Sequence, residues 1–297
     1  MPLLLPRSRY NVRRSFDRNL HSSFQNKVIA MHPMLNIAVR AARSAVNVIA
    51  RACGQLDMVQ KQQKGTNDFV TNVDKEAEQA IVQVLKKSFP THGIVGEEHG
   101  DYGNNDSEFQ WIIDPLDGTT NFIKGIPHFA VSIALKHQGK LDQAVVFDPL
   151  RGELFTASRG RGAQLNGTRI RVNNLPDMGG TILATGFPFK NKTHIPAHSA
   201  MLTGLLAEAA DIRRTGSAAL DLAYVAAGRF DGFFEIGLKP WDIAAGELIV
   251  REAGGLVCDF VGGNNHLRSG NVVAAAPKVL AGMLKGIRPH LTESLSR

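Results

Sequence analysis

With 297 residues, 43% hydrophobic and 21% charged, the chain has an ordinary globular composition, long enough for one large domain or two intimate halves. No apolar run approaches the ~18 residues that cross a bilayer, and the early PLLL is too short for a secretory core, so the chain reads as soluble and cytoplasmic. Cys53 and Cys258, far apart and without His or Cys neighbours at ligand spacing, argue against a disulfide framework and a zinc site.

The formal net charge of +7 is unevenly placed. In residues 1–30, Arg7, Arg9, Arg13, Arg14, Arg18 and Lys27 face the single acid Asp17, which leaves a nearly neutral body. This basic leader reads as a transit peptide, a disordered arm or sequence upstream of the normal start, with no catalytic role. Residues 31–297 read as one folded domain. Its first part, 31–175, combines helices with an antiparallel sheet, and its second, 176–297, follows α/β order.

From Met34 to Ala52, apolar residues at Leu35, Ala38, Val39, Ala42, Ala45, Val46 and Ile49 recur at helical spacing. A polar loop containing KQQKGTND follows, and Thr71 is the natural N-cap of a second helix ending near Lys87, before Pro90. Next, FQWIID, FAVSIALKH, LDQAVVFD, GELFTAS and TRIRV are short β-rich runs separated by turn signals such as Asp148-Pro149 and Asn166-Gly167, which predicts an antiparallel meander. SRGRGAQLNG reads as a pair of β-turns. Beyond Gly179-Gly180, strands TILATG, DIRRTG, GFFEIG, LVCDF and NVVAAA alternate with helices from about Ala197, over AALDLAYVAAG, over WDIAAGELIVREAGG and at the C-terminal end.

Three acidic clusters sit where apolar elements end: Glu97 and Glu98 in VGEEHG, Asp114 and Asp117 in WIIDPLDGTTNF, and Asp242 in PWDIAAG. If they converge, their like charges force protons or cations into the site. Carboxylate oxygens suit Mg2+, a hard cation that keeps waters and is completed by substrate phosphate, whereas zinc would want His or Cys. Pro115 disfavours helical geometry at Asp114, so the strand runs on into a turn that can aim both aspartates and the Leu116 carbonyl at one point. Gly118-Thr119-Thr120 then opens a helical turn whose free N–H groups attract a phosphate. A plain β-turn would account for DPLDGTT alone, but not for the acids upstream and downstream. Thr71 and Asp74 have capping-box spacing, which by itself explains both. The haloacid dehalogenase type of phosphatase separates its two aspartates by one residue. Here two intervene, which argues against a phospho-aspartate and for metal-activated water.

On these motifs, WIIDPLDGTTNF, WDIAAGELIVREAGG, GEE and DFVTNVD in that family's order, the chain from Met31 to Arg297 resembles the inositol monophosphatase family, and most closely its bacterial branch. The resemblance implies an αβαβα layered sandwich, a homodimer, and a lithium-sensitive, Mg2+-dependent phosphatase of inositol 1-phosphate holding two to three ions. It implies Glu97, Asp114, Asp117, Asp242 and the Leu116 carbonyl as metal ligands, Asp74 and Thr119 as positioners of the attacking water, and Gly118 and Thr119 as phosphate binders. Glu235, Arg213, Gly216, Ser217 and Ala218 match substrate-pocket residues. Glu235 as a solvent-facing strand end, and Arg213 or Arg214 as a surface or interface charge, remain open beside those roles. The same metal cradle serves fructose-1,6-bisphosphatase, nucleotide 3′-phosphatase and NADP phosphatase activities, so the carboxylates do not choose the substrate. Bacterial members are also associated with transcription antitermination through RNA polymerase and Nus factors. With 7% aromatic residues, RNA binding by base stacking is not suggested, and no sequence-specific nucleic-acid contact is expected.

Overall fold

The computed structural model describes residues 31–56, 59–65, 68–104 and 106–296, so the basic leader lies outside the described residues. Helix α1 (Pro33–Cys53) buries the stripe its spacing predicts, from Leu35 to Ile49. The KQQKGTND segment is not a loop. Strands β1 (Lys61–Gly65) and β2 (Asp68–Thr71) pair antiparallel across it. Lys61, Gln62 and Gln63 are solvent-facing, so this ribbon lacks the apolar alternation by which a sequence announces a strand. Helix α2 (Asn72–Ser88) starts at Thr71, whose hydroxyl accepts from the N–H groups of Val73 and Asp74.

Strands β3 (Gly93–Gly96), β4 (Gly100–Asp101), β5 (Phe109–Asp117), β6 (Ala130–His137), β7 (Lys140–Asp148), β8 (Glu153–Ser158), β9 (Gly162–Leu165) and β10 (Thr168–Arg169) form an eight-stranded sheet in the order β10-β9-β8-β7-β6-β5-β3-β4. It departs from a pure meander at one seam, where β3 runs parallel to β5. The stretch read as two turns holds β9 between them. The second turn, Asn166-Gly167, has positive φ at both residues, the geometry that closes a two-residue hairpin, and TRIRV shortens to β10.

The second sheet holds β11 (Ile182–Thr185), β12 (Asp211–Arg213), β13 (Gly232–Glu235), β14 (Leu256–Cys258) and β15 (Val272–Ala275) in the order β12-β11-β13-β15-β14. β12, β11 and β13 are mutually parallel, β15 runs antiparallel to β13, and β14, antiparallel to β15, resumes the direction of the first three.

Side-chain alternation along the strands builds the layers. Trp111, Ile113, Val131 and Ile133 pack on α1 and α2, while Ile112, Ala134, Ala144 and Phe155 face helices α5 (Ala218–Ala226) and α6 (Pro240–Glu252). Those two helices meet Phe233, Val272 and Ala274 of the second sheet on their other side. Leu183, Phe234 and Val273 turn outward to helices α4 (Ile195–Leu206) and α7 (Pro277–Ile287). The result is the expected αβαβα sandwich. α5, apolar but for Asp221, and α6, buried from Ile243 to Val250, are its middle layer, covered on two faces.

Candidate active site

β5 carries the centre of the site. Its pairing with β6 steps from Asp114↔Ser132 to Asp117↔Ala130, so three residues of advance on β5 oppose two on β6. In a regular strand, residues three apart point to opposite faces; the extra residue of this bulge brings both carboxylates to one side. Pro115, which has no N–H to donate to the ladder, sits inside the bulge. Gly118 then turns the chain with φ 95° into the short helix α3 (Thr119–Lys124). A Cβ at Gly118 would approach the carbonyls of His128 and Gly216 to 3.1 and 3.2 Å, so the tight turn and the close packing both ask for glycine.

Asp114, Asp117 and Asp242 offer oxygens that all lie within 4.8 Å of one another. Asp114 is buried in β5, with Oδ1 accepting from the Leu116 N–H at 2.9 Å. Asp117 Oδ2 accepts from the Ser217 hydroxyl at 2.6 Å and the Ala219 N–H at 2.8 Å, which ties β5 to the start of α5. Asp242, in the first turn of α6, accepts from the Lys239 N–H at 2.7 Å. Each aspartate is oriented by the backbone and keeps acceptor capacity toward the others.

Crowding shows in their acidity. Burial raises all three carboxyls above the usual aspartate range. Asp114 goes well above it, with Glu97, Asp117 and Asp242 adding repulsion, and Asp242 reaches about 7 through burial and then Asp117. Lys190, on the loop after β11, relieves Asp117 and Asp242 in part. An all-oxygen, mutually repelling donor set of this kind fits a hard divalent cation and gives no reason for zinc.

Asp74 is wholly buried on α2 and meets both readings of its position. Its Oδ2 accepts the Thr71 N–H at 2.8 Å, completing the capping box, while Oδ1 lies 2.9 Å from the Thr119 hydroxyl. That hydroxyl is also 3.1 Å from the Leu116 carbonyl and, with one proton, donates to one of the two at a time. Burial pushes the Asp74 carboxyl up, against the pull of its Thr71 and Thr119 hydrogen bonds.

Asp114, Asp117, Asp242, Lys190 and Thr119 line a cavity of about 520 Å³ together with Glu97, Leu116, Gly118, Gly216, Ser217, Ala218 and Glu235, and Asp74 reaches it through the Thr119 hydroxyl. Arg213 is not brought there. It ends β12 exposed and pairs with Asp211 two residues earlier on the same face, whereas Arg214 lines the cavity and lies 5.8 Å from the Phe187 ring. Arg213 is the last residue of β12, and Arg214, the first past it, is the one that reaches the cavity. Glu235 closes β13 opposite the aspartates. Its carboxyl is pushed well up by burial, then by Asp221, Asp242 and Asp117, and drawn down by Arg214.

Three wall residues were missed in the sequence. Gly186 leaves the space Glu235 occupies, since a Cβ there would overlap the Glu235 carboxyl. Lys190 follows in the same loop. Asp221 is a buried acid in the otherwise apolar α5, accepting from the Thr215 hydroxyl at 2.6 Å. A lone acid inside AALDLAYVA was the available signal; Gly186 and Lys190 gave none beyond their place after a strand end.

The layering and the three aspartates gathered in the cleft define a phosphatase of the sugar-phosphatase type. The family model for the inositol monophosphatase family matches residues 30–292, and the chain belongs to that family. It is 60% identical over 267 residues to the Nus factor SuhB of Escherichia coli K12, covering 90% of this chain and all of that one. Among solved structures, the extragenic suppressor protein suhB of Bartonella henselae superposes with a TM-score of 0.85 at 42% identity over 88% of this chain and 100% of that one. The inositol monophosphatase of Anabaena superposes with a TM-score of 0.77 at 35% identity over 86% and 95% of the two chains.

Proposed function

We propose that the chain is a Mg2+-dependent phosphomonoesterase that hydrolyses myo-inositol monophosphates, inositol 1-phosphate among them, to inositol and phosphate in the cytoplasm. The observation that carries this reading is the convergence of Asp114, Asp117 and Asp242 within 4.8 Å beside the Thr119–Asp74 pair. Glu97 and the Leu116 carbonyl complete a set of ligands for two to three Mg2+ ions. Bound there, the ions supply a water of lowered pKa at neutral pH and offset charge on the transferring phosphoryl group and leaving oxygen.

The rest falls to the chain. With its proton on Asp74, the Thr119 oxygen turns its lone pairs away from that carboxylate and accepts from the attacking water, which fixes the direction of attack. The Gly118 and Thr119 amides, freed at the start of α3, receive the phosphate. Ser217, Gly216 and Ala218 form the wall beside it, with the Ser217 hydroxyl committed to Asp117. Glu235 faces the cavity and accepts from the hydroxyls of a polyol, while Arg214 offers a donor on the same side. Li+ is the expected inhibitor and a homodimer the expected assembly.

The 60% identity to a Nus factor over 90% of the chain supports a second role, in transcription antitermination through contact with RNA polymerase and Nus factors. A ligand variant such as Asp114→Asn that loses hydrolysis but retains every cellular function would put this role first. The substrate is tested by phosphate release, with and without Mg2+, from inositol 1-phosphate, fructose 1,6-bisphosphate and a nucleoside 3′-phosphate. Turnover is expected to be Mg2+-dependent and fastest with inositol 1-phosphate; faster release from another substrate would move the assignment within the same fold.

A further inference from the structure

α2 presents a buried acid on each of two successive turns, Asp74 and Glu78. Asp74 reaches Thr119. Glu78 touches none of the groups assigned to the reaction, yet it is 0% exposed and gathers four hydrogen bonds. Its Oε2 accepts from the Glu98 N–H at 2.9 Å. Its Oε1 accepts from the His99 N–H at 3.0 Å, the His99 Nδ1–H at 2.7 Å and the Tyr102 hydroxyl at 2.8 Å. Every donor lies in residues 98–102, directly after Glu97.

On its other side Glu97 is tied to the sheet, its N–H donating to the Ile113 carbonyl at 3.1 Å where β3 runs beside β5. Gly96 belongs to the same arrangement, because a Cβ there would overlap the Glu78 carboxyl. The segment bearing Glu97 is therefore fixed between a strand and a buried carboxylate. Only a carboxylate offers enough lone pairs for four converging donors; a glutamine would keep one oxygen and set an NH2 against N–H groups. The placement matters because the tight acidic group contains the three aspartates and not Glu97, although Glu97 lines the same cavity and its charge acts on Asp114. A cation held by Glu97 together with the aspartates would depend on where this segment sits.

We infer that Glu78 is a positioning residue for divalent-cation binding: by anchoring residues 98 and 99 it holds the Glu97 carboxylate at the cavity. The inference rests on the Mg2+ reading of the site. It is tested by direct binding of Mn2+ to the metal-free full chain, followed by paramagnetic resonance and calorimetry. Glu78→Gln is expected to weaken one class of bound Mn2+ on the order of 10- to 100-fold, the range for partners that orient metal ligands. Glu97→Gln is expected to lose the same class, and the double variant to bind no more weakly than Glu97→Gln alone. Tyr102→Phe removes one donor and should weaken that class by about threefold, which keeps the test alive if Glu78→Gln folds poorly. Glu252→Gln strips a carboxylate of its bonds from the Gly160 and Gly162 N–H groups, 2.7 Å each, at a distant turn; it should lower thermal stability and leave Mn2+ binding unchanged.

Unaltered Mn2+ binding by Glu78→Gln, additive losses in the double variant, or an equal loss in Glu252→Gln would overturn the inference while leaving the cation site standing. A wild-type chain that bound no Mn2+ would overturn the Mg2+ reading and this inference with it.

Discussion

The two halves of the molecule build the cleft in opposite ways. Residues 31–175 contribute Asp114, Leu116, Asp117, Gly118 and Thr119 from one short stretch, shaped by a single bulge and a single left-handed glycine, with Glu97 added from the turn after β3. Residues 176–296 contribute Asp242 and the facing wall, drawn from separate segments: Gly186 and Lys190 after β11, Arg214 after β12, Asp221 on α5 and Glu235 at the end of β13. Most of the groups that act on phosphate are neighbours in sequence, with Asp74, Glu97 and Asp242 brought to them by the fold. Groups that face the rest of a substrate need only share a cavity, and the fold assembles them from afar.

The comparison breaks most visibly at the aspartates. Asp242→Asn is expected to lower kcat for Mg2+-dependent phosphate release on the order of a thousandfold or more, several kcal/mol of charge stabilisation, while the protein stays folded through its Lys239 N–H contact. A modest loss would mean that the second half supplies no essential ligand.

On the facing wall, Gly186→Ala pushes a methyl into the Glu235 carboxyl. It should raise KM for inositol 1-phosphate by on the order of 10- to 100-fold, since a packed wall yields little. Glu235→Gln keeps the shape and removes a charged acceptor; its KM should rise by about tenfold, with kcat for a small aryl phosphate unchanged. If Glu235→Gln slowed both substrates equally, the division between groups that act on the phosphate and groups that select the rest of the substrate would fail.

The smallest effect is thermal. In metal-free protein the Asp242 carboxyl, raised from 3.8 to about 7 by burial and then by Asp117, keeps a proton that the unfolded chain has released. The folded state binds the extra proton, so this stabilisation is complete below about pH 4 and lost as pH rises through about 7. The Tm of chelator-treated protein should fall by a few degrees between about pH 5 and about pH 8, and saturating Mg2+ should remove the fall. A flat or rising Tm would show that the aspartates do not repel as their packing implies.

What the sequence disclosed follows the same division. The layered order of elements was legible because α1 and the sheet strands carry clean apolar periods, as the buried faces of Leu35 to Ile49 and of Trp111 and Ile113 bear out. The β1–β2 ribbon was not, because exposed lysine and glutamine carry no period. Nor was β9, hidden between two turns that were themselves correctly read. At the site, DPLDGTT was legible as a unit because its residues are neighbours. Arg213 and Arg214 show the limit: adjacent in sequence and equal in charge, they part where β12 ends, one pairing with Asp211 and the other lining the cavity. Asp221 and Gly186 matter through contacts made across the fold, and one chain read alone does not reveal those.

The most direct measurement is phosphate release from inositol 1-phosphate by the purified protein, with and without Mg2+, in wild type and Asp117→Asn. Wild-type turnover is expected to require Mg2+ and to be abolished by the substitution, with the Ser217 and Ala219 contacts still holding α5 in place. Turnover that persists in Asp117→Asn, or that ignores Mg2+, would contradict the Mg2+ reading of the site.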